Sequence, residues 1–175
     1  MRPYHRKLRP EPMRILVRHA DAGGHRRPTA DDRRPLTPFG RAQARRLTAL
    51  LGGLPILRVL SSPSVRCRQT VVPLAREVGV DVEPRVELAL DAEPVNLLRL
   101  LRDPGTENAV LCAHRETITA VLALGVGPGR RVDGVADMAP AAAWACYGDP
   151  DRPALLRYLG SASDVAHPLL ENGAA

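Results

Sequence analysis

Short apolar runs that alternate with segments of helical spacing constrain the fold of this chain more than any other feature. Three runs, at 15–17, 56–60 and 109–113, are rich in aliphatic residues and are typical of buried strands. Helical spacing of apolar residues follows the first run at 38–51 and precedes the third at 94–102. Strands that alternate with helices predict a mainly parallel sheet with helices on both faces. We therefore expect an α/β fold, a three-layer sandwich with antiparallel edge strands.

Capping and turn residues predict where the elements begin and end. Thr37, followed by proline, is a good N-cap for the first helix. Ser62 or Ser64 can cap a second helix that continues to position 79, with Pro73 expected to kink it or restrict its first turns. The remaining predicted elements are a strand at 80–86, a helix at 116–124, a glycine-rich turn at 125–134 and antiparallel edge strands at 138–147 and 154–158.

A chain of 175 residues is long enough for one domain with a sizeable core. We expect a flexible basic lead-in at 1–12, a single domain at 13–160 and a C-terminal tail at 161–175. The lead-in has no apolar stretch behind it, so no signal peptide is expected, and no run approaches membrane-spanning length. The three cysteines lack paired spacing, which favours a reducing compartment and a cytoplasmic location.

The charge balance points to an anionic ligand. The net charge is +6, which suits either nucleic acid or phosphorylated substrates. Aromatic residues make up only 3% of the chain, so stacking platforms for single-stranded nucleic acid are not expected. We therefore expect phosphorylated partners rather than nucleic acid or membrane.

Basic side chains stand at the ends of three predicted parallel strands. Arg18 and His19 end the first, Arg66 lies just inside the helix after the second, and His114 ends the fourth. The carboxyl ends of parallel strands meet at one edge of a sheet, where ligands bind in open α/β folds. Guanidinium groups suit a phosphoryl group, and an imidazole beside them can act as the nucleophile. Arg68 is the alternative to Arg66, since helical spacing puts the two on different faces.

Three motifs carry a resemblance to the histidine phosphatase superfamily, also called phosphoglycerate-mutase-like. They are LVRHADAG at 16–23, SSPSVRCRQT at 61–70 and LCAHRETI at 111–118. The resemblance implies that His19 becomes phosphorylated. It also implies that Arg18, Arg66 and His114 bind the phosphoryl group.

The chain departs from the family pattern at three places. Ala20 stands where the family usually has glycine, and the residue before the third-motif histidine is alanine rather than the frequent glycine or serine. The position where many members carry a proton-donating glutamate falls on the apolar Leu90. Glu87 and Asp91 lie nearby and are the candidate proton donors. A missing acid matters least for substrates with good leaving groups.

Besides Ala20 of the first motif, two residues of the third motif are candidate substrate contacts. Arg115 borders the expected pocket and Thr117 sits where a hydroxyl at a helix N-terminus can touch phosphate. No carboxylate and histidine cluster has metal-ligand spacing, so we expect no metal and no cofactor. Cys67 and Cys112 are interpreted as small packing residues.

The resemblance, together with these residues, predicts a metal-independent phosphohydrolase that works through a phosphohistidine intermediate. RPLTPFGRAQA, at 34–44, is similar to small bacterial phosphohistidine phosphatases and to phosphatase-like domains attached to some Nudix hydrolases. The predicted substrate is a phosphohistidine protein or a small phosphoester or phosphoanhydride. The alternative is a catalytically weak phosphate-binding or regulatory module of the same fold. A monomer or a homodimer is expected.

Overall fold

The computed structural model describes residues 13–24, 30–125, 138–147 and 155–161. The predicted lead-in, nearly all of the glycine-rich turn at 125–134 and all but the first residue of the predicted tail lie outside these ranges. All three sequence motifs lie within them.

Six strands form one sheet in the order β3-β2-β4-β1-β5-β6. The strands β1 to β4 run parallel to one another, whereas β5 is antiparallel to β1 and β6 is antiparallel to β5. The predicted mainly parallel sheet with antiparallel strands at one edge is therefore confirmed. The strand bounds are β1 Met13–Arg18, β2 Arg58–Ser61, β3 Val82–Pro84, β4 Ala109–Ala113, β5 Ala142–Tyr147 and β6 Leu155–Ser161.

Four α-helices of the described chain cover the two faces of the sheet, which confirms the three layers. Residues of the first two helices, such as Leu47 and Leu74, pack in one core with Ile15 of β1. Residues of the last two helices, such as Leu97 and Ile118, pack in a second core on the other face. Within the described ranges, no helix is long and apolar enough to cross a membrane. The helix bounds are α1 Pro38–Leu51, α2 Val65–Val78, α3 Pro94–Arg102 and α4 Arg115–Gly125, with 3₁₀ turns at Asp31–Arg33, Val86–Leu88 and Pro104–Thr106.

Helices on both faces explain the composition of the central strands. All five residues of β4 are buried, as are the first five of β1, without the alternation of a half-exposed strand. At the start of α1, the Thr37 hydroxyl accepts a hydrogen bond from the Gly40 N–H at 3.0 Å, as the predicted cap requires.

Some predicted boundaries are wrong. The strand expected at 80–86 covers only Val82–Pro84, and the chain then turns into a 3₁₀ helix that buries Leu88. Ser64 precedes α2, but its side chain makes no capping hydrogen bond. Pro73 lies inside α2, which continues to residue 78. The strand expected at 138–147 begins only at residue 142, after a turn.

Candidate active site

Three neighbouring strands bring the motif residues to one edge of the sheet. Arg18 is the last residue of β1 and pairs with Ala113, the last residue of β4. His114 follows β4 directly, and Arg66 is the second residue of α2, which begins shortly after β2. Because β2, β4 and β1 are adjacent and parallel, these side chains line one cavity of about 190 Å³ together with His19. The predicted convergence of the strand ends is present in the structure.

His19 is held with one ring nitrogen against the backbone. Its Nδ1 lies 2.8 Å from the carbonyl oxygen of Ala20. A carbonyl only accepts hydrogen bonds, so Nδ1 carries the proton and Nε2 keeps its lone pair. The ring centroids of His19 and His114 lie 5.5 Å apart, with a 65° angle between the ring planes.

The pKa of His19 is lowered to about 3, mainly by burial and also by the charges of Arg66, His114 and Arg18, against the opposing hydrogen bond to Ala20. The imidazole is therefore neutral at ordinary pH. A neutral imidazole with a free Nε2 lone pair is the form that attacks phosphorus.

Arg66 and His114 form a buried hydrogen-bonded chain in the wall of the cavity. Arg66 is only 2% exposed and His114 is fully buried. The Arg66 Nη2 lies 3.1 Å from His114 Nδ1 and donates to the Asp31 carboxylate at 2.8 Å. The His114 Nε2 lies 2.9 Å from the Ser62 hydroxyl. Both ring nitrogens of His114 are thus occupied by protein groups.

Three guanidinium groups around the cavity each keep one donor unused. The Nε atoms of Arg18, Arg34 and Arg66 are buried and have no hydrogen-bond partner among the described residues. Leaving a buried donor unpaired costs about 1–3 kcal/mol, and more for charged groups. All three residues line the same cavity, and their guanidinium groups suit an anion with several acceptor oxygens. A phosphoryl group has this chemistry.

Asp31 and Arg34 also line the cavity, although no sequence motif marks them. The Asp31 carboxylate pairs with Arg34 at 2.9 Å and with Arg66 at 2.8 Å. Burial acts to raise the pKa of Asp31, but the hydrogen bonds and charges of Arg34 and Arg66 outweigh it, and the pKa is lowered. Arg34 also donates to the carbonyl oxygens of Ala22 and Gly23, which holds the loop after the first motif. Two aspartates followed by two arginines at 31–34 are no local signal of a site.

The remaining predicted residues divide between the cavity and its surroundings. Arg115 lines the cavity and is exposed, whereas Thr117 is buried and is not among the lining residues. Ala20 is fully buried, and its N–H donates to the Thr70 hydroxyl at 2.9 Å. Arg68 is exposed and is not a lining residue, so Arg66 is the arginine of its motif that reaches the cavity.

The two candidate proton donors lie outside the cavity. Glu87 forms an ion pair with Arg85 at 2.7 Å, and Asp91 is exposed. Neither residue is among those that line the cavity, whereas the apolar Leu90 is. Cys67 and Cys112 are fully buried, as packing residues are, although the Cys67 Sγ lies 3.7 Å from His114 Nε2.

Part of the chain is similar to known sequences. Residues 14–90, which contain the first two motifs, match the sequence profile of the histidine phosphatase superfamily (branch 1). The chain is also 34% identical over 116 residues to an 8-oxo-(d)GTP phosphatase of Mycolicibacterium smegmatis. That match covers 62% of this chain but only 35% of the relative, so this chain corresponds to about a third of the larger protein.

Solved structures share the fold over most of its length. A protein assigned as the phosphohistidine phosphatase SixA from Agrobacterium tumefaciens superposes with a TM-score of 0.69 at 23% identity, covering 90% of this chain and 99% of the other. The protein histidine phosphatase SixA in complex with tungstate superposes with a TM-score of 0.67 at 22% identity, covering 83% and 93% of the two chains. The α/β architecture described above is therefore that of these phosphatases.

The chain thus shares the fold of these phosphatases, and its first two motifs lie within the segment that matches the histidine phosphatase profile.

Proposed function

We propose that this enzyme hydrolyses its substrate through a covalent phosphohistidine on His19, without a metal ion or cofactor. The observation that carries the proposal is the state of His19, a neutral imidazole whose Nε2 is free because Nδ1 donates to Ala20. Nε2 attacks phosphorus, the leaving group departs with the bonding electron pair, and water then cleaves the phosphorus–nitrogen bond.

Arg18, Arg66 and His114 stabilise the transferring phosphoryl group in this proposal. The guanidinium groups of Arg18 and Arg66 line the cavity and supply charge-assisted hydrogen bonds to the phosphoryl oxygens. His114 acts on the phosphoryl group through Arg66, because its Nδ1 accepts from that guanidinium. Arg115 also lies in the cavity wall, where it supplies a further positive charge for binding an acidic substrate.

The proposed substrates are phosphohistidine proteins and small phosphoanhydrides or phosphoesters. The named activities of the two comparison groups, phosphohistidine phosphatase and 8-oxo-(d)GTP phosphatase, support these two classes. The cavity of about 190 Å³ provides room for a phosphoryl group and part of its leaving group.

Rapid-quench labelling tests the covalent mechanism. The full chain is mixed with ³²P-labelled acetyl phosphate and quenched in base, which preserves phosphohistidine. We expect label on His19 in the wild-type enzyme and none in His19→Ala. An active enzyme that never carries label on His19 would contradict the proposal.

A weakly catalytic phosphate-binding module is the second candidate. It is favoured by the position of Glu87 and Asp91, since neither predicted proton donor lines the cavity. Turnover of p-nitrophenyl phosphate at mildly acidic pH separates the two functions. Equal inactivity of the wild type and His19→Ala, with phosphate binding retained, would favour the module.

A further inference from the structure

Three carboxylates line the cavity within the described part of the chain: Asp21, Asp31 and Glu116. If the enzyme works as proposed above, the leaving oxygen of an ester needs a proton, and one of these groups is placed to supply it. The contacts of each carboxylate decide which one is available.

The Asp21 carboxylate is held by hydrogen bonds at the loop that follows β1. Its Oδ2 accepts a hydrogen bond from the Thr37 hydroxyl at 2.5 Å, and its Oδ1 accepts from the Gly23 N–H at 3.4 Å. This carboxylate closes the loop onto the start of α1, so moving it would break the loop's own contacts.

The Asp31 carboxylate is paired with two arginines. It holds ion pairs with Arg34 and Arg66, which favour the ionised form. Protonation of Asp31 would break both ion pairs, so Asp31 serves as a counter-charge.

Glu116 differs from both. It lies in the first turn of α4, two residues after His114, and its side chain is exposed. Among the described residues no hydrogen bond or ion pair holds its carboxylate. Burial and the charge of Arg115 lower the pKa of Arg18, and the nearby Glu116 opposes that lowering. An exposed carboxyl can exchange protons with solvent between turnovers.

The position of Glu116 also suits a leaving group. Arg66 and His114 are buried at the inner end of the cavity, whereas Glu116, Arg115 and Leu90 are exposed at its mouth. A leaving group of any size has to extend toward this exposed mouth.

We propose that Glu116 is the proton donor of this enzyme, in place of the Glu87 and Asp91 that the sequence suggested. As His19 Nε2 forms its bond to phosphorus, the phosphorus–oxygen bond of the ester breaks and the leaving oxygen takes the proton of the Glu116 carboxyl group. The resulting carboxylate accepts a proton from the water that attacks the phosphohistidine, which releases phosphate and restores both side chains. The proposal rests on the phosphohistidine mechanism and extends the substrate class to phosphomonoesters whose leaving groups need protonation.

Leaving-group dependence tests this role. The full-length Glu116→Gln variant is compared with wild type on p-nitrophenyl phosphate and on phenyl phosphate, whose leaving group is much more basic. We expect kcat/KM to fall about 100-fold or more with phenyl phosphate and by less than about 10-fold with p-nitrophenyl phosphate. Glu116→Asp is expected to restore part of the loss with phenyl phosphate.

Two variants provide the comparison. Glu77→Gln makes the same change at an exposed site on α2 and is expected to leave both rates unchanged. An equal loss on both substrates in Glu116→Gln, no loss on either, or a leaving-group-dependent loss in Glu87→Gln instead would overturn the proposal. Labelling of the Glu116→Gln variant with acetyl phosphate tests the covalent mechanism separately. If His19 still becomes labelled, the covalent mechanism stands even where the proton-donor role of Glu116 fails.

Discussion

The guanidinium of Arg66 donates a hydrogen bond to Nδ1 of His114 across 3.1 Å. Arginine cannot accept a hydrogen bond, so Nδ1 of His114 is unprotonated in this arrangement. The proton of the neutral ring therefore lies on Nε2, which donates to the Ser62 hydroxyl at 2.9 Å. The two site histidines thus have opposite tautomers, with the proton on Nδ1 in His19 and on Nε2 in His114.

Ser62 is predicted to hold His114, and through it Arg66, in position. Ser62→Ala removes the acceptor for the His114 Nε2–H, and a buried donor left unpaired costs about 1–3 kcal/mol. We expect kcat on p-nitrophenyl phosphate to fall about 10-fold and the protein to unfold at a lower denaturant concentration.

Ser61→Ala is the matched control for this variant. Ser61 is also fully buried, but its hydroxyl donates to the Ser62 carbonyl and not to the site. It is expected to lose stability without a comparable loss of kcat. Similar kinetic losses in both variants would show that Ser62 has only a structural role.

Asp31 is predicted to compete with the substrate for Arg66. Asp31→Asn removes a negative charge from the cavity wall while an amide oxygen can still accept from the arginines. We expect inorganic phosphate to inhibit the variant about 3- to 10-fold more tightly, at a stability cost below about 1 kcal/mol for the partly exposed ion pairs. Competitive inhibition of p-nitrophenyl phosphate turnover measures the effect.

The neighbouring carboxylate supplies a control with the same change of charge. Asp32 is exposed and does not line the cavity, so Asp32→Asn is expected to leave phosphate inhibition unchanged. Weaker phosphate binding in Asp31→Asn would mean that Asp31 serves mainly to orient Arg66.

Gly40 is predicted to be essential for the loop that carries His19. A Cβ atom at Gly40 would lie 2.0 Å from the carbonyl oxygen of Asp21, far inside van der Waals contact. Gly40→Ala must push this backbone away from α1, and we expect a loss of about 1–3 kcal/mol in the free energy of unfolding together with most of the activity. At Gly53 no described atom lies within 4 Å of the corresponding Cβ, so Gly53→Ala is expected to be tolerated. Comparable activity in the two variants would contradict this view of the loop.

Stability is predicted to fall in mild acid because of His19. The pKa of this imidazole is about 3 in the folded protein, against an ordinary value of 6.5. Between these values the unfolded state binds one proton more than the folded state, so the free energy of unfolding decreases as the pH falls. Each pH unit in this window costs about 1.4 kcal/mol, so about 2 kcal/mol is lost from this group by pH 5.

Urea unfolding of the wild type and His19→Gln measures this dependence. The variant lacks the titrating imidazole but keeps all the carboxylates and the other histidines. We expect the wild type to lose more free energy of unfolding than the variant as the pH drops from 7 to 5. A difference that does not change with pH would show that His19 titrates near its ordinary value in the folded protein.

Local sequence patterns were sufficient to predict the layered fold and four site residues. Aliphatic runs and helical spacing report burial directly, and a side chain directly after a parallel strand has to lie at the carboxyl edge of the sheet. Arg18, His19 and His114 are at strand ends, and Arg66 is in the first turn of a helix, so their convergence followed from chain order alone. The short β3 and the 3₁₀ turn after it were not predicted, because burial of Leu88 in the core decided the path there.

Only the tertiary structure decided the electrostatics and the partners within the site. Asp31 pairs with Arg66 across 35 positions, and Ser62 meets His114 across 52, so no local pattern marks either contact. Burial sets the protonation of His19, and burial is a property of the packed layers rather than of the motif. The sequence by itself determined which groups arrive at the cavity. The packing determined which of these groups are held in hydrogen bonds or ion pairs and which, such as Glu116, can interact with a substrate. The physical reason is that a hydrogen bond depends on distance in space and not on separation along the chain.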